Sequence, residues 1–127
     1  MKYNKYGNAK PFVDGMTFDS NKEAKRWLEL KILQRAGEIE NLRRQVPFEL
    51  IPAKYEQDII GANGKPKKGK CIERAVNYYA DFVYKDKRTG ELVVEDVKGY
   101  KKGLAYNVFS IKRKLMLHVH GIRVVEI

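Results

Sequence analysis

Three residues carry the chemistry this chain can do: Asp81, Asp96 and Lys98. Asp81 stands within a run of β-formers, Ala75-Val76-Asn77-Tyr78-Tyr79-Ala80-Asp81-Phe82-Val83-Tyr84, and Asp96 and Lys98 lie in Val93-Val94-Glu95-Asp96-Val97-Lys98-Gly99. On a strand the side chains alternate, so Asp96 and Lys98 share one face and Glu95 takes the other. If the two runs form a hairpin, Asp81 comes beside Asp96. Two carboxylates at one point repel unless a cation neutralises them. Hard oxygen donors without a Cys or His cluster select Mg²⁺ or Mn²⁺. A lysine beside them can orient a water or stabilise a phosphorane-like transition state. An acid buried in a central strand with neither cation nor partner would be costly.

These residues need a scaffold, and its order can be read along the chain. Val13 to Phe18 reads as a small hairpin turning at Asp14-Gly15, ending an N-terminal extension over residues 1–18. Ser20-Asn21-Lys22-Glu23 opens a helix as a capping box, with Ala24, Trp27, Leu28, Lys31 and Ile32 on its inward face and Gly37 as its stop. Glu23 is the N3 member of that box, and it also borders the apolar face, where it can look into a site. Leu42 to Leu50 reads as a strand that Pro47 confines to an edge or a bulge. Residues 61–70, GANGKPKKGK, read as a flexible basic loop. Cys71 to Tyr84 and Glu91 to Lys98 form a hairpin about the turn Asp86 to Gly90. Residues 107–120 form a second helix with Val108, Ile111, Leu115 and Val119 inward, closed by Gly121, and Ile122 to Ile127 is a last buried strand. The short connection between that helix and strand favours parallel pairing. The expectation is one α/β domain over residues 1–127, with an αβββαβ core and a mixed central sheet flanked by helices.

The order of elements and the motifs together resemble the restriction-endonuclease-like superfamily, the PD-(D/E)XK nucleases, from Ser20 to Ile127. Ser-Asn-Lys-Glu, Arg-Gln-Val-Pro-Phe, Tyr-Ala-Asp-Phe and Glu-Asp-Val-Lys-Gly are similar to segments of small phage and prophage proteins within it. Ala80 stands where the superfamily's name has proline. The resemblance implies Asp81 and Asp96 as metal ligands, Lys98 as catalytic and Glu23 completing the site, with Glu95 the alternative to Asp96. It implies Mg²⁺- or Mn²⁺-dependent hydrolysis of DNA phosphodiesters. Among its small members are Holliday junction resolvases, which act as homodimers on branched DNA. The alternative is a DNA- or RNA-binding domain that keeps the fold without catalysis.

Composition agrees with a polyanionic partner. Lys and Arg number 26 against 16 Asp and Glu, a formal charge of +10 on 127 residues. Phosphate contacts are expected from Lys65, Lys67, Lys68 and Lys70 in the basic loop, from Lys101 and Lys102 after the motif, and from Lys112, Arg113 and Lys114 on the second helix. Gly64 to Lys70 has the spacing of a phosphate-binding loop, but Cys71 replaces its Ser or Thr, no apolar strand runs into it and no helix pattern follows. His118 and His120 lie about 200° apart on a helix, wrong for a shared metal. The single cysteine excludes an internal disulfide. No run is long enough to span a membrane and the start lacks the apolar stretch of a signal peptide, so a cytoplasmic protein is expected, and the resemblance to phage and prophage proteins implies a bacterial host cell.

Overall fold

The structure is a computed structural model that describes residues 9–127. The first eight residues of the expected N-terminal extension lie outside the described residues. Strands β1 (Phe12–Val13) and β2 (Met16–Thr17) form the expected hairpin. Asp14 and Gly15 sit at φ 53° and 75°, the left-handed pair that a two-residue turn of this hand requires. The Asp14 carboxylate accepts from Trp27 Nε1 at 2.9 Å and ties the hairpin to the first helix.

Helix α1 (Asn21–Arg35) starts at Ser20, whose hydroxyl accepts from the Glu23 N–H at 3.1 Å. It ends in a paired closure, Glu38 N to Leu33 O and Gly37 N to Gln34 O, with Gly37 left-handed at φ 80°. Its inward arc is Glu23, Ala24, Trp27 and Leu30. Leu28 and Ile32, expected inward, face solvent. They lie about 100° and 140° round the helix from Trp27, whereas the buried residues fall within about 60° of it. The apolar residues of this helix are spread too widely for spacing alone to choose between the two arcs.

Strand β3 (Ile39–Ile51) runs on into a two-stranded ribbon made of β4 (Lys54–Tyr55), β5 (Ile59–Ile60), β6 (Pro66–Lys67) and β7 (Cys71–Glu73), which returns as β8 (Val76–Asp86). β5 pairs with β6 and β4 with β7. The segment 61–70 is therefore the end of a paired ribbon and not a free loop. Strand β9 (Leu92–Asp96) follows, then helix α2 (Leu104–Leu115), a π-helical turn at Met116–His120, and β10 (Val125–Glu126). The main sheet has the order β10-β9-β8-β3, antiparallel except for the parallel β9–β10 pair. The αβββαβ core stands as a mixed sheet between two helices, and Pro47 lies on the edge strand, where a missing N–H costs least.

Each helix covers one face. On the α1 face Phe18, Ala24, Trp27, Leu30, Ile39, Phe82 and Tyr84 form one core. On the α2 face Leu50, Tyr78, Ala80, Val83, Val94, Phe109, Met116 and Val124 form the other. α2 and the π-helical turn after it bury Phe109 and Met116, while Val108, Ile111 and Val119, expected inward, are exposed. Phe109 and Met116 are seven residues apart, two helical turns, and the large aromatic outweighs the aliphatic stripe in choosing the buried side.

Candidate active site

The site forms where the two long strands exchange faces. On β3, Leu42 and Arg44 meet the α1-side core, whereas Val46, Phe48 and Leu50 meet the α2-side core. On β8, Tyr78 and Ala80 belong to the α2 side and Phe82 and Tyr84 to the α1 side. The switch on β3 occurs at Gln45, whose φ of 53° is left-handed and unusual for a residue with a side chain. The switch on β8 occurs at Asp81, which the pairing register sets opposite Gln45.

The β8–β9 ladder stops at Phe82 and Glu95, so the next residues on the two strands are Asp81 and Asp96. The Val97 N–H, released from the ladder, donates to Asp81 Oδ2 at 2.8 Å. The Gln45 side-chain amide donates to Asp81 Oδ1 at 3.2 Å and to Glu23 Oε1 at 3.4 Å. Gln45 thus bridges a strand carboxylate and a helix carboxylate. Arg44 adds positive charge, with Nη2 3.7 Å from Glu23 Oε1 and its guanidinium 4.2 Å from the Phe18 ring centroid; among the described residues its buried Nε has no hydrogen-bond partner.

Asp96 and Lys98 share the α2 face, as alternation requires. Lys98 Nζ is 2.8 Å from Asp96 Oδ1 and 3.8 Å from the Phe109 ring centroid, so an anion and an aromatic face both fix the ammonium. The buried Tyr78 hydroxyl donates to Asp96 Oδ2 at 2.6 Å. Burial and this bond to a carboxylate push the Tyr78 phenol well above its ordinary range. The backbone is held as well: Ile127 N donates to Asp96 O at 2.9 Å, Lys98 N to Ile127 O at 3.2 Å, and Lys22 Nζ to Lys98 O at 2.7 Å.

Glu95, the alternative ligand, is placed elsewhere. It is 1% exposed on the α1 face, where Arg26 Nε and Nη2 reach its two oxygens at 2.8 and 2.7 Å and the Tyr84 hydroxyl donates to Oε2. Both oxygens are engaged on the side of the sheet away from Asp96 and Lys98. Its neighbours also perturb one another: the Glu95 hydrogen bond raises the Arg26 guanidinium above its ordinary value, and burial followed by that carboxylate raises the Tyr84 phenol.

Electrostatics link the remaining acids. The Asp81 carboxyl is pushed up to about 7, first by burial, then by the charges of Asp96 and Glu23; the Val97 N–H and the Gln45 amide oppose the rise. Burial and the charge of Asp19 raise Glu23, against Arg44 and Gln45. Among the described residues no group of three or more His, Cys, Asp or Glu side chains is gathered tightly enough to hold a metal ion. The donors nevertheless fit a hard divalent cation in kind. They are carboxylate oxygens, and the carboxyl at their centre is disfavoured as an anion by its like-charged neighbours.

Of the predicted phosphate-contacting residues, Lys65, Lys67, Lys68 and Lys70 are exposed on the ribbon, and Lys101, Lys102 and Lys114 are exposed around α2. Lys112 is half-buried. Arg113 is drawn to Glu126 at 3.2 Å and so faces a carboxylate of its own chain. Sequence reasoning does not single out Gln45, Tyr78, Arg26 or Lys22 as site or support residues. Gln45 and Lys22 lie in the segments Arg-Gln-Val-Pro-Phe and Ser-Asn-Lys-Glu, which mark their place but not their role, and Tyr78 lies in the same strand three residues before Asp81, its ring in the core and its hydroxyl on Asp96. A cavity of about 530 Å³ lies at the β9–β10 edge, lined by Leu92, Leu117, Ile122 and Arg123 among others, and none of the four candidate residues lines it.

Among the described residues no helix is long and apolar enough to cross a membrane. No curated protein and no solved structure matches the chain. One protein family does, described as "Protein of unknown function (DUF1064)", over residues 3–124. That span takes in both helices, the ribbon, the main sheet except β10 and all four candidate site residues, and the chain belongs to the DUF1064 family.

Proposed function

We propose that this protein is a Mg²⁺- or Mn²⁺-dependent endodeoxyribonuclease, a Holliday junction resolvase-like enzyme of phage or prophage DNA metabolism that works as a homodimer on branched or recombining DNA. The observation that carries the reading is the trio at the open end of the sheet: Asp96 in contact with Lys98, with Asp81 on the adjoining strand. A pure DNA-binding surface gains nothing from carboxylates turned toward phosphates. Asp81 and Asp96 would hold the cation, with Glu23 joining directly or through water, and the bound cation would supply Lewis acidity and lower the pKa of an attacking water.

The chain's own residues do the rest. Lys98 places its ammonium where charge develops as water adds to phosphorus and a backbone P–O bond breaks. Asp96 and Phe109 hold that ammonium in place. Tyr78 fixes the second oxygen of Asp96, and the Gln45 amide fixes Asp81 relative to Glu23. Exposed lysines on the ribbon and around α2 supply the sequence-independent attraction to the DNA backbone.

One observation favours a second reading, a non-catalytic DNA- or RNA-binding domain: Lys98 and Tyr78 neutralise and satisfy Asp96 without any cation. Labelled four-way, flap, single-stranded and linear duplex DNA, incubated with Mg²⁺, Mn²⁺, Ca²⁺ or EDTA, separates the two. The nuclease reading expects cleavage with Mg²⁺ or Mn²⁺, binding with little cleavage in Ca²⁺, and none in EDTA. Binding without cleavage in every metal would establish the second reading, and full activity in EDTA would remove the metal from the mechanism.

A further inference from the structure

The ribbon between β3 and β8 packs against neither core. Ile59, Ile60 and Ile72 are 59%, 71% and 57% exposed, which is unusual for three isoleucines in one small excursion. It is nevertheless built. Glu56 N donates to Lys70 O at 2.8 Å, Gly69 N to the Asp58 carboxylate at 3.0 Å and Lys65 N to the Asn63 side chain at 3.0 Å. Lys68 Nζ lies 3.9 Å from the Tyr55 ring centroid. A Cβ on Gly69 would collide with the Glu56 carbonyl, so the strands approach there more closely than any side chain allows.

The far end of the ribbon has a distinct chemistry. Ile60 pairs directly with Pro66, which puts two apolar side chains side by side on one face. Lys65 and Lys67 flank Pro66, Lys68 and Lys70 follow, and no acid occurs from Ile59 to Lys70. An apolar wedge bordered by cations matches a nucleic-acid duplex, with phosphates on either side of a base step that the wedge can enter. Position fits too. β9 ends at Asp96 and points along the sheet toward the ribbon, and Lys67 lies fourteen positions before Asp81 in the chain. At about 3.3 Å per strand residue the ribbon reaches at most about 45 Å from the acids, enough to engage DNA one helical turn away.

We propose, building on the nuclease reading, that this ribbon is a DNA arm: Ile60 and Pro66 enter a base step already opened at a branch, while Lys65, Lys67, Lys68 and Lys70 hold the neighbouring phosphates. Entering an intact stack requires unstacking, which is unfavourable, and a branch point has already lost that stacking. The arm therefore converts wedge contact into a preference for branched over continuous DNA.

The test measures binding in the full-length Asp96→Asn variant, so that cleavage does not interfere, on a four-way junction and on a linear duplex of matching sequence. The junction should bind roughly tenfold more tightly than the duplex, and Ile60→Thr, which keeps a β-branched residue in the strand, should bring the ratio close to one while the duplex affinity changes by less than about twofold. 2-Aminopurine at the branch should brighten on binding with Ile60 present and stay quenched with Thr. Replacing the four lysines by Gln should weaken both substrates alike and flatten the log K against log salt slope by up to about 3.6. An unchanged junction-to-duplex ratio in Ile60→Thr, or loss of self-association with DNA binding intact, would overturn the arm and leave the nuclease reading standing. Failure of the Asp96→Asn protein, and of the unsubstituted chain in Ca²⁺, to bind any DNA would overturn both.

Discussion

Glu95 and Asp96 are neighbours in sequence, both at most 5% exposed, and their surroundings differ in kind. Glu95 meets an arginine fork and a tyrosine in the core under α1, and both its oxygens are used by groups from elsewhere in the fold. Asp96 sits at the strand end, held by Tyr78 and by a lysine two residues away, with another carboxylate on the adjoining strand. Both carboxylates are satisfied, Glu95 by Arg26 and Tyr84 and Asp96 by Lys98 and Tyr78; what sets Asp96 apart is its place where the sheet opens, next to the Asp81 carboxylate on the adjoining strand.

The largest expected effect on that contrast comes from Lys98. Lys98→Ala should lower turnover by about 10²–10³-fold while DNA affinity stays nearly constant, because one charge among many is lost from the surface but the group nearest the developing charge is gone. Single-turnover cleavage alongside anisotropy titration reads both. On the Glu95 side the effect should fall on stability. Glu95→Gln leaves the half-buried Arg26 facing a neutral amide, with Glu29 its remaining carboxylate partner, and should cost about 1–3 kcal/mol in urea denaturation, and Arg26→Met combined with Glu95→Leu should recover much of it.

A smaller effect follows from Asp81. Its folded pKa of about 7 lies above the ordinary 3.8, so the folded state holds a proton that the unfolded chain releases. This contribution is fully present below pH 4 and is lost as pH rises toward and through 7. Partial solvent contact screens it to about 1–2 kcal/mol. Metal-free protein should therefore lose stability across that window, and Asp81→Asn should flatten the profile while abolishing cleavage. The smallest effect belongs to Gln45. Its left-handed backbone suits glycine, so Gln45→Gly should be about 1 kcal/mol more stable than Gln45→Ala, although both lose the amide bridge between Glu23 and Asp81.

Much of this was legible in the sequence, for reasons that particular residues make plain. Period-two alternation separated Asp96 and Lys98 from Glu95, the Asp14-Gly15 pair announced its turn, and Pro47 announced an edge. The helical faces were misassigned because α1 and α2 carry apolar residues around most of their circumference, and only packing chooses among them. Residues 61–70 read as a loop in the sequence because the strand that enters them, Pro66-Lys67, has little β propensity. Gln45 lies in the segment Arg-Gln-Val-Pro-Phe, but its role is silent there because it depends on a backbone angle and on a partner 36 residues away, and neither leaves a local pattern.

The central claim is that Asp96, and not Glu95, belongs to the reacting centre. Calorimetric titration of Mn²⁺ into Asp96→Asn and Glu95→Gln, with cleavage assayed in parallel, tests it most directly. Asp96→Asn should lose Mn²⁺ binding and cleavage together, since a neutral amide is a poor ligand for a hard cation, and Glu95→Gln should retain both at reduced stability. An active Asp96→Asn protein beside a folded but inactive Glu95→Gln protein that no longer binds Mn²⁺ would contradict the account and move the site to the other face of the sheet.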